Sequence, residues 1–350
     1  MKSESPRLAL TAHDIRHFQF RDTPFVQLMN KRIYNVLMIA SKYDMFILED
    51  DGRVDEQIFN EYTSLNLRYP PRFTQVSNGD DAMKELKTNR YELIICMPNM
   101  DNSEVFELSK KIKETYPEIP IVILTPFSKE VTKILEKEDL TGVDYVFSWL
   151  GDTDLLLAII KLIEDRMNVE HDVKTVGVQT IMVVEDSVRF YSSMLPMLYK
   201  FVLYESKEFS KEALNDHLRM LRMRGRPKIL LARNYEEAVE LYSKYGDNML
   251  GVISDMSFNR EGTKDKLAGK KLGEWIRSQD KYIPLIYTSS ETSNRQYADE
   301  MKASFIDKNS KTFPQDLRKT VKDNLGFGDF IIIDPATKQE IFRIKNLKEL

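Results

Sequence analysis

In the second half of the 350-residue sequence, Glu185-Asp186, Asp255, Ser289 and Lys308 have the residue types that phosphoryl chemistry needs. Three carboxylates brought together repel one another, and a hard divalent cation removes the conflict. Mg²⁺ takes oxygen ligands and keeps several waters, so an acidic pair with a third carboxylate suits it. Asp255 is then a carboxylate nucleophile able to form an aspartyl phosphate, with the metal neutralising the incoming charge. Lys308 offers a compact positive charge to phosphoryl oxygens, and the Ser289 hydroxyl can donate to one of them. Taken singly, each is an ordinary loop residue of an acidic protein.

Their positions along the chain argue for more. Each follows a short apolar run that reads as a strand: 180–184 before Glu185, 249–254 before Asp255, 283–287 before Ser289 and 303–306 before Lys308. In an open parallel sheet the carboxyl ends of the strands line one crevice, so these side chains should converge. A further strand is predicted at 228–231, with helices over 235–245, 269–278 and 314–324. About forty residues separate the first two strands, more than a crossover needs, and 187–204 and 207–224 both read as helices. The first half repeats the alternation, with strands at 33–40, 73–76, 93–96, 119–124 and 145–147. Its helices are predicted at 55–67, 79–88, 105–115, 131–138 and 155–167. Near-continuous apolar strands require a sheet covered on both faces. The expected class is α/β: two flavodoxin-like, doubly wound, five-stranded parallel sheets, the second with a helical insertion. The expected units are an extension (1–32), a first domain (33–168), a second domain (178–326, insertion about 188–227) and a C-terminal hairpin (327–350) that opens a further domain.

Composition excludes several classes. Net charge is -4 and 42% of residues are hydrophobic, which fits a water-soluble protein with no basic balance for nucleic acid. No apolar run has the length of a membrane span, and MKSESPRLAL lacks a signal-peptide core. The single cysteine, Cys96, rules out an intrachain disulfide. A cytoplasmic location is expected.

Glu185-Asp186, Asp255, Ser289 and Lys308 resemble the acid pair, phospho-acceptor, switch hydroxyl and lysine of bacterial response-regulator receiver domains. The resemblance implies a regulatory phospho-acceptor in a two-component phosphorelay rather than an enzyme. It implies Mg²⁺ as cofactor, bound also by the backbone carbonyl of Ser257, and Phe305 as an aromatic that changes rotamer on phosphorylation. The implied partners are a histidine kinase or phosphotransfer protein and an output domain or protein. Two features depart from the family: Asn309 follows the lysine where proline is usual, and the loop after Asp255 is long and basic.

The first half has Ala40-Ser41 at the position of the acid pair, Cys96 at the acceptor, Thr125 at the hydroxyl and Ser148 or Trp149 at the lysine. It resembles a pseudo-receiver without a metal pocket. Cys96 as a ligand or redox sensor is a weaker reading than a buried core thiol. The acidic cluster Glu49-Asp50-Asp51-Gly52-Arg53 reads as a solvated turn in which Gly52 permits positive φ. The basic stretch 217–226 reads as an amphipathic helix. The Met-rich stretch 194–223 suggests adaptable packing, including against a second copy of the chain. The strand–turn–strand pattern over 329–343, with Arg21-Asp22-Thr23-Pro24-Phe25 and the 43–53 segment, resembles the regulatory front of phosphoenolpyruvate-synthase-like proteins. That resemblance implies such an output enzyme. The rival reading is a phosphorylation-independent scaffold of degenerate receivers that dimerises through the insertion helices. A flavin-binding protein of the same fold is disfavoured, because no Gly-rich phosphate loop follows either first strand.

Overall fold

A computed structural model describes residues 25–49, 53–98, 104–126, 139–149, 151–210, 223–325, 330–333 and 340–344. In the first half, β1 (Asn35–Ile39), β2 (Arg72–Val76), β3 (Leu93–Cys96), β4 (Ile121–Pro126) and β5 (Tyr145–Trp149) form a parallel sheet in the order β2-β1-β3-β4-β5. The second half starts with β6 (Thr180–Val184), β7 (Lys228–Ala232) and β8 (Met249–Asp255). A small antiparallel hairpin of β9 (Phe258–Arg260) and β10 (Thr263–Asp265) follows, then β11 (Leu285–Ser289) and β12 (Ser304–Asp307). Read from its edge, this sheet runs β7-β6-β8-β11-β12. Both sheets therefore have the flavodoxin-like doubly wound order expected from the sequence. The C-terminal alternation gives β13 (Phe330–Ile333) and β14 (Glu340–Ile344), paired antiparallel.

The helices are α1 (Lys42–Leu48), α2 (Val54–Ser64), α3 (Gly79–Thr88), α4 (Glu104–Thr115), α5 (Asp154–Val176), α6 (Val188–Ser210), α7 (Tyr235–Tyr245), α8 (Ala268–Gln279), α9 (Arg295–Glu300) and α10 (Phe313–Leu325). Local chemistry starts several of them. Asn78 and Asn234 cap α3 and α7 by accepting the amides of Asp81 and Glu237, and Ser41 with Asp44 makes a capping box on α1. That box explains a helix the sequence pattern left in a loop. The α6 helix runs unbroken through Pro196 to Ser210, joining the predicted 187–204 helix to the start of the predicted 207–224 helix. The helix predicted at 131–138, Gly52 and most of the predicted 207–224 helix lie outside the described residues.

The layers explain why the strands are apolar on both faces. Helices α3 and α4 cover one side of the first sheet, where Ala82, Leu86 and Ile112 meet Leu37, Ile94 and Ile121. Helices α7 and α8 cover the far side of the second, with Ala238 and Leu272 against Met182 and Val252. Between the sheets lies a shared layer of α2, α5, α6 and α10, in one apolar cluster with both inner faces. The halves exchange helices there: α5 packs on β7, and α6 packs on β5.

α5 also carries a buried polar stripe of Lys161, Glu164, Asp165, Asn168 and Asp172. Asp165 receives Arg226 at 2.7 and 2.9 Å, together with the Tyr199 hydroxyl and the Ile229 amide. Asp172 pairs with Lys228 at 3.0 Å, and Glu164 with Lys161 at 2.7 Å. An extended strap ahead of β1 lies along the same helix. The Met29, Lys31 and Ile33 amides donate to Asp172, Asn168 and Glu164. The stretch read as a joint, 169–179, is mostly the last turns of α5, because Val169 and Asp172 are buried there.

Candidate functional site

The carboxyl edge of the second sheet assembles the site. Strands β6, β8 and β11 are adjacent, so Glu185-Asp186, Asp255 and Ser289 leave neighbouring strand ends. The Lys308 amide donates to the Ser289 carbonyl at 2.9 Å, which fixes the turn after β12 against β11. Gly269 lets α8 close on Asp255: a Cβ there would stand 2.2 Å from the Asp255 carbonyl oxygen.

The side chains converge as the sequence predicts. Lys308, 4% exposed, reaches Glu185 at 2.5 Å and Asp255 at 3.0 Å. Glu185, Asp186 and Asp255 each offer an oxygen within 4.8 Å of the others. Octahedral Mg²⁺ holds oxygens about 2.1 Å from itself, so trans ligands stand about 4.2 Å apart. The trio has to draw in to meet those spacings, and the all-oxygen donor set is the one this ion prefers. Burial pushes the Glu185 carboxyl up to about 7; Lys308 pulls it down and Asp255 adds to the rise. The Ser289 oxygen accepts from the Asn294 side chain at 2.9 Å and the Glu291 amide at 3.1 Å, which leaves its own hydrogen to donate. Ser257 lines the same cleft of about 200 Å³. Phe305 lies outside that lining, in a small cluster with Met256 and Tyr287 and with Arg295 4.8 Å over its ring.

Three contributors were not visible in the sequence. Lys264 reaches across the cleft to Asp186 at 2.6 and 2.8 Å. It is carried by the β9–β10 hairpin, whose turn residues Glu261 and Gly262 have φ of 52° and 75°. Two left-handed residues between short strands are a tight hairpin, so the basic loop after the acceptor is an ordered arm. Phe190, on the first turn of α6, lies 4.2 Å under the Lys308 ammonium. Asn294 orients Ser289. The Glu-Gly pair was the available signal for the hairpin; no sequence pattern marks the other two.

At the equivalent edge of the first sheet, Ser41 caps α1 and Cys96 is fully buried, its thiol pushed up to about 12 by burial. Thr125 is buried with its hydroxyl toward the Phe147 carbonyl, and the Ser148 amide donates to Ser192 of α6 at 2.9 Å. Among the described residues, no carboxylate cluster of metal-binding spacing occurs there.

No protein-family model matches the sequence, and no curated protein matches it. Solved structures do. A two-component system response regulator with a GGDEF domain aligns over 84% of this chain and 98% of its own, at 13% identity and a TM-score of 0.32. A signal receiver domain of an HD domain-containing protein from Pseudomonas fluorescens Pf-5 covers 40% of this chain and 97% of its own, at 20% identity and a TM-score of 0.24. NtrX from Brucella abortus covers 77% of this chain and 63% of its own, at 11% identity and a TM-score of 0.31. With scores this low, the fold rests on the strand order of the two sheets. Among the described residues, no helix is long and apolar enough to cross a membrane.

Proposed function

We propose that the second domain is a receiver module that accepts a phosphoryl group on Asp255, and that the first is a degenerate receiver it acts through. The observation that carries this is the convergence of Lys308 on Glu185 and Asp255 at 2.5 and 3.0 Å, beside Asp186 and Ser289, in one cleft. Glu185, Asp186, Asp255 and the Ser257 carbonyl would hold Mg²⁺, which supplies charge neutralisation at the incoming phosphoryl oxygens. The donor is a phosphohistidine on a kinase or phosphotransfer protein. Its P–N bond breaks as a P–O bond forms to an Asp255 carboxylate oxygen, and the electron pair stays on the donor imidazole nitrogen. Lys308 and the Ser289 hydroxyl then hold the new phosphoryl oxygens.

The response has a short path to the first domain. α6 begins at the cleft with Ser187 and Phe190, and its next residues grip β5: the Tyr191 hydroxyl donates to the Val146 carbonyl, and Ser192 accepts the Ser148 amide. A dianion at Asp255 draws Ser289 and Lys308 inward, loosens the Lys308–Phe190 contact, and lets Phe305 follow Ser289. The output is a linked or partner protein, such as a phosphoenolpyruvate-synthase-like enzyme. The test is Mg²⁺-dependent binding of beryllofluoride to wild type and Asp255→Asn by calorimetry. Binding in wild type alone is expected. Binding that persists in the variant places the acceptor elsewhere, and none in either leaves the scaffold reading.

A further inference from the structure

A second concave site lies at the opposite, amino-terminal edge of the sheets, where the two halves meet. Arg32 precedes β1, residues 66–69 precede β2, and Arg224 and Arg226 precede β7. Together with Lys161 and Glu164 of α5 they enclose a cavity of about 170 Å³. Its floor is neutral, because Lys161 pairs with Glu164 and Arg226 with Asp165. Its rim is not. Among the described residues, Arg32, Arg68 and Arg224 have no carboxylate partner; Arg32 and Arg224 donate only to the Met29 and Val26 carbonyls. Burial and the neighbouring Arg32 charge lower the Arg224 pKa, as expected of guanidinium groups gathered without a counter-ion.

The backbone around the cavity is held in an unfavourable shape. Met29 and Tyr69, which both line it, have φ of 53° and 61°, whereas Asn66 at 57° is the ordinary left-handed residue that ends α2, its amide on the Thr63 carbonyl and that of Leu67 on Tyr62. Such residues cluster where surrounding structure fixes a binding geometry. The Tyr69 turn leaves its ring 58% exposed on the rim, edge-on to Tyr34 at 6.3 Å between centroids. Planar guanidinium groups match phosphate oxygens in bidentate fashion, and an exposed ring beside them offers a stacking face.

We propose that this interdomain cavity binds a nucleotide-class ligand, its phosphates among Arg32, Arg68 and Arg224 and its planar ring on Tyr69. The cavity has room for the phosphate end only, which leaves the ring on the rim where Tyr69 stands. The ligand touches the strap, the first sheet's α2–β2 loop, α5 and the second half at once, so its binding stiffens the seam between the halves.

The experiment is calorimetric titration of the full chain with ATP, AMP and pyrophosphate in EDTA, which silences metal-dependent binding at the Asp255 cleft. ATP is expected to bind most tightly, and Asp255→Asn to leave it unchanged. Arg68→Gln should weaken ATP at least ~10-fold through loss of a charged bidentate contact. Arg68 is exposed and unpaired among the described residues, so this variant keeps the fold, which circular dichroism checks. Tyr69→Ala should bring ATP down to the affinity of pyrophosphate. No binding of any probe at millimolar concentration overturns the proposal, as does ATP binding that Arg68→Gln leaves unaltered. ATP binding unchanged in Tyr69→Ala overturns the placement of the ring.

Discussion

Lys264 holds Asp186 and Lys308 holds Glu185 and Asp255, the three carboxylates that would ligate a cation, yet the two lysines differ in kind. Lys308 is enclosed at 4% exposure, whereas the Lys264 side chain is 53% exposed on its hairpin. An exposed pair of this sort is worth about 0.2–1 kcal/mol, so Lys264→Ala should tighten Mg²⁺ binding by a factor of about 1.4 to 5 at low salt. Calorimetry checks this, and the gain should shrink as ionic strength rises. Gly269→Ala acts from behind Asp255. Its Cβ collides with the Asp255 carbonyl, which costs about 1–3 kcal/mol and should weaken beryllofluoride binding with every ligand still in place. Cys96, buried with its thiol pushed up to about 12, should resist thiol reagents in the native protein and react only as fast as the sheet opens. Labelling at the rate of an exposed thiol would overturn that. Much of the carboxylate cleft was legible in the sequence, because strand ends in parallel sheets converge. Lys264 was not, because a side chain arriving from an inserted hairpin obeys no strand-end rule.

At the scale of elements, α5 is the unusual one. A helix at the end of a receiver-like unit should bury an apolar stripe, yet α5 also buries five ionisable or amide side chains. Asp165→Ala leaves Arg226 charged, buried and unpaired, and such losses cost about 3–5 kcal/mol. The denaturation midpoint should fall accordingly. Replacing Asp165 and Arg226 together with Leu and Met should be milder, since no buried charge is left unpaired, but part of the loss stays because the Tyr199 hydroxyl and Ile229 amide lose their acceptor. The sequence reading ended the first unit at 168, among these polar residues of the helix. It could not show that partners in the other half satisfy them.

For the whole molecule, the shared helical layer joins both inner sheet faces in one apolar cluster. Two halves with separate cores unfold separately; two halves with a common core should melt together. The protein carries two tryptophans, Trp149 on β5 and Trp275 on α8, one reporter for each half. Trp149→Phe and Trp275→Phe should give coincident urea midpoints by fluorescence, and midpoints well apart would show that the halves unfold independently. The doubly wound class was readable because most strands are apolar runs alternating with helical patterns, although the edge strands β2 and β12 are only partly buried. The exchange of α5 and α6 between sheets was not, since either helix's apolar face suits either sheet.

The strap is tied to α5 at every second amide against every fourth helical residue. The middle rung, Lys31 to Asn168, is 2.9 Å, and the outer two, Met29 to Asp172 and Ile33 to Glu164, are both 3.2 Å. A fourth rung would fall on Ile160 or Val176, neither of which can accept a hydrogen bond. Sliding the strap by one residue turns its amides away from the helix, and sliding it by two leaves a carboxylate or amide of α5 buried without its donor. The chain that enters β1 is thereby locked in phase with the helix that carries both halves.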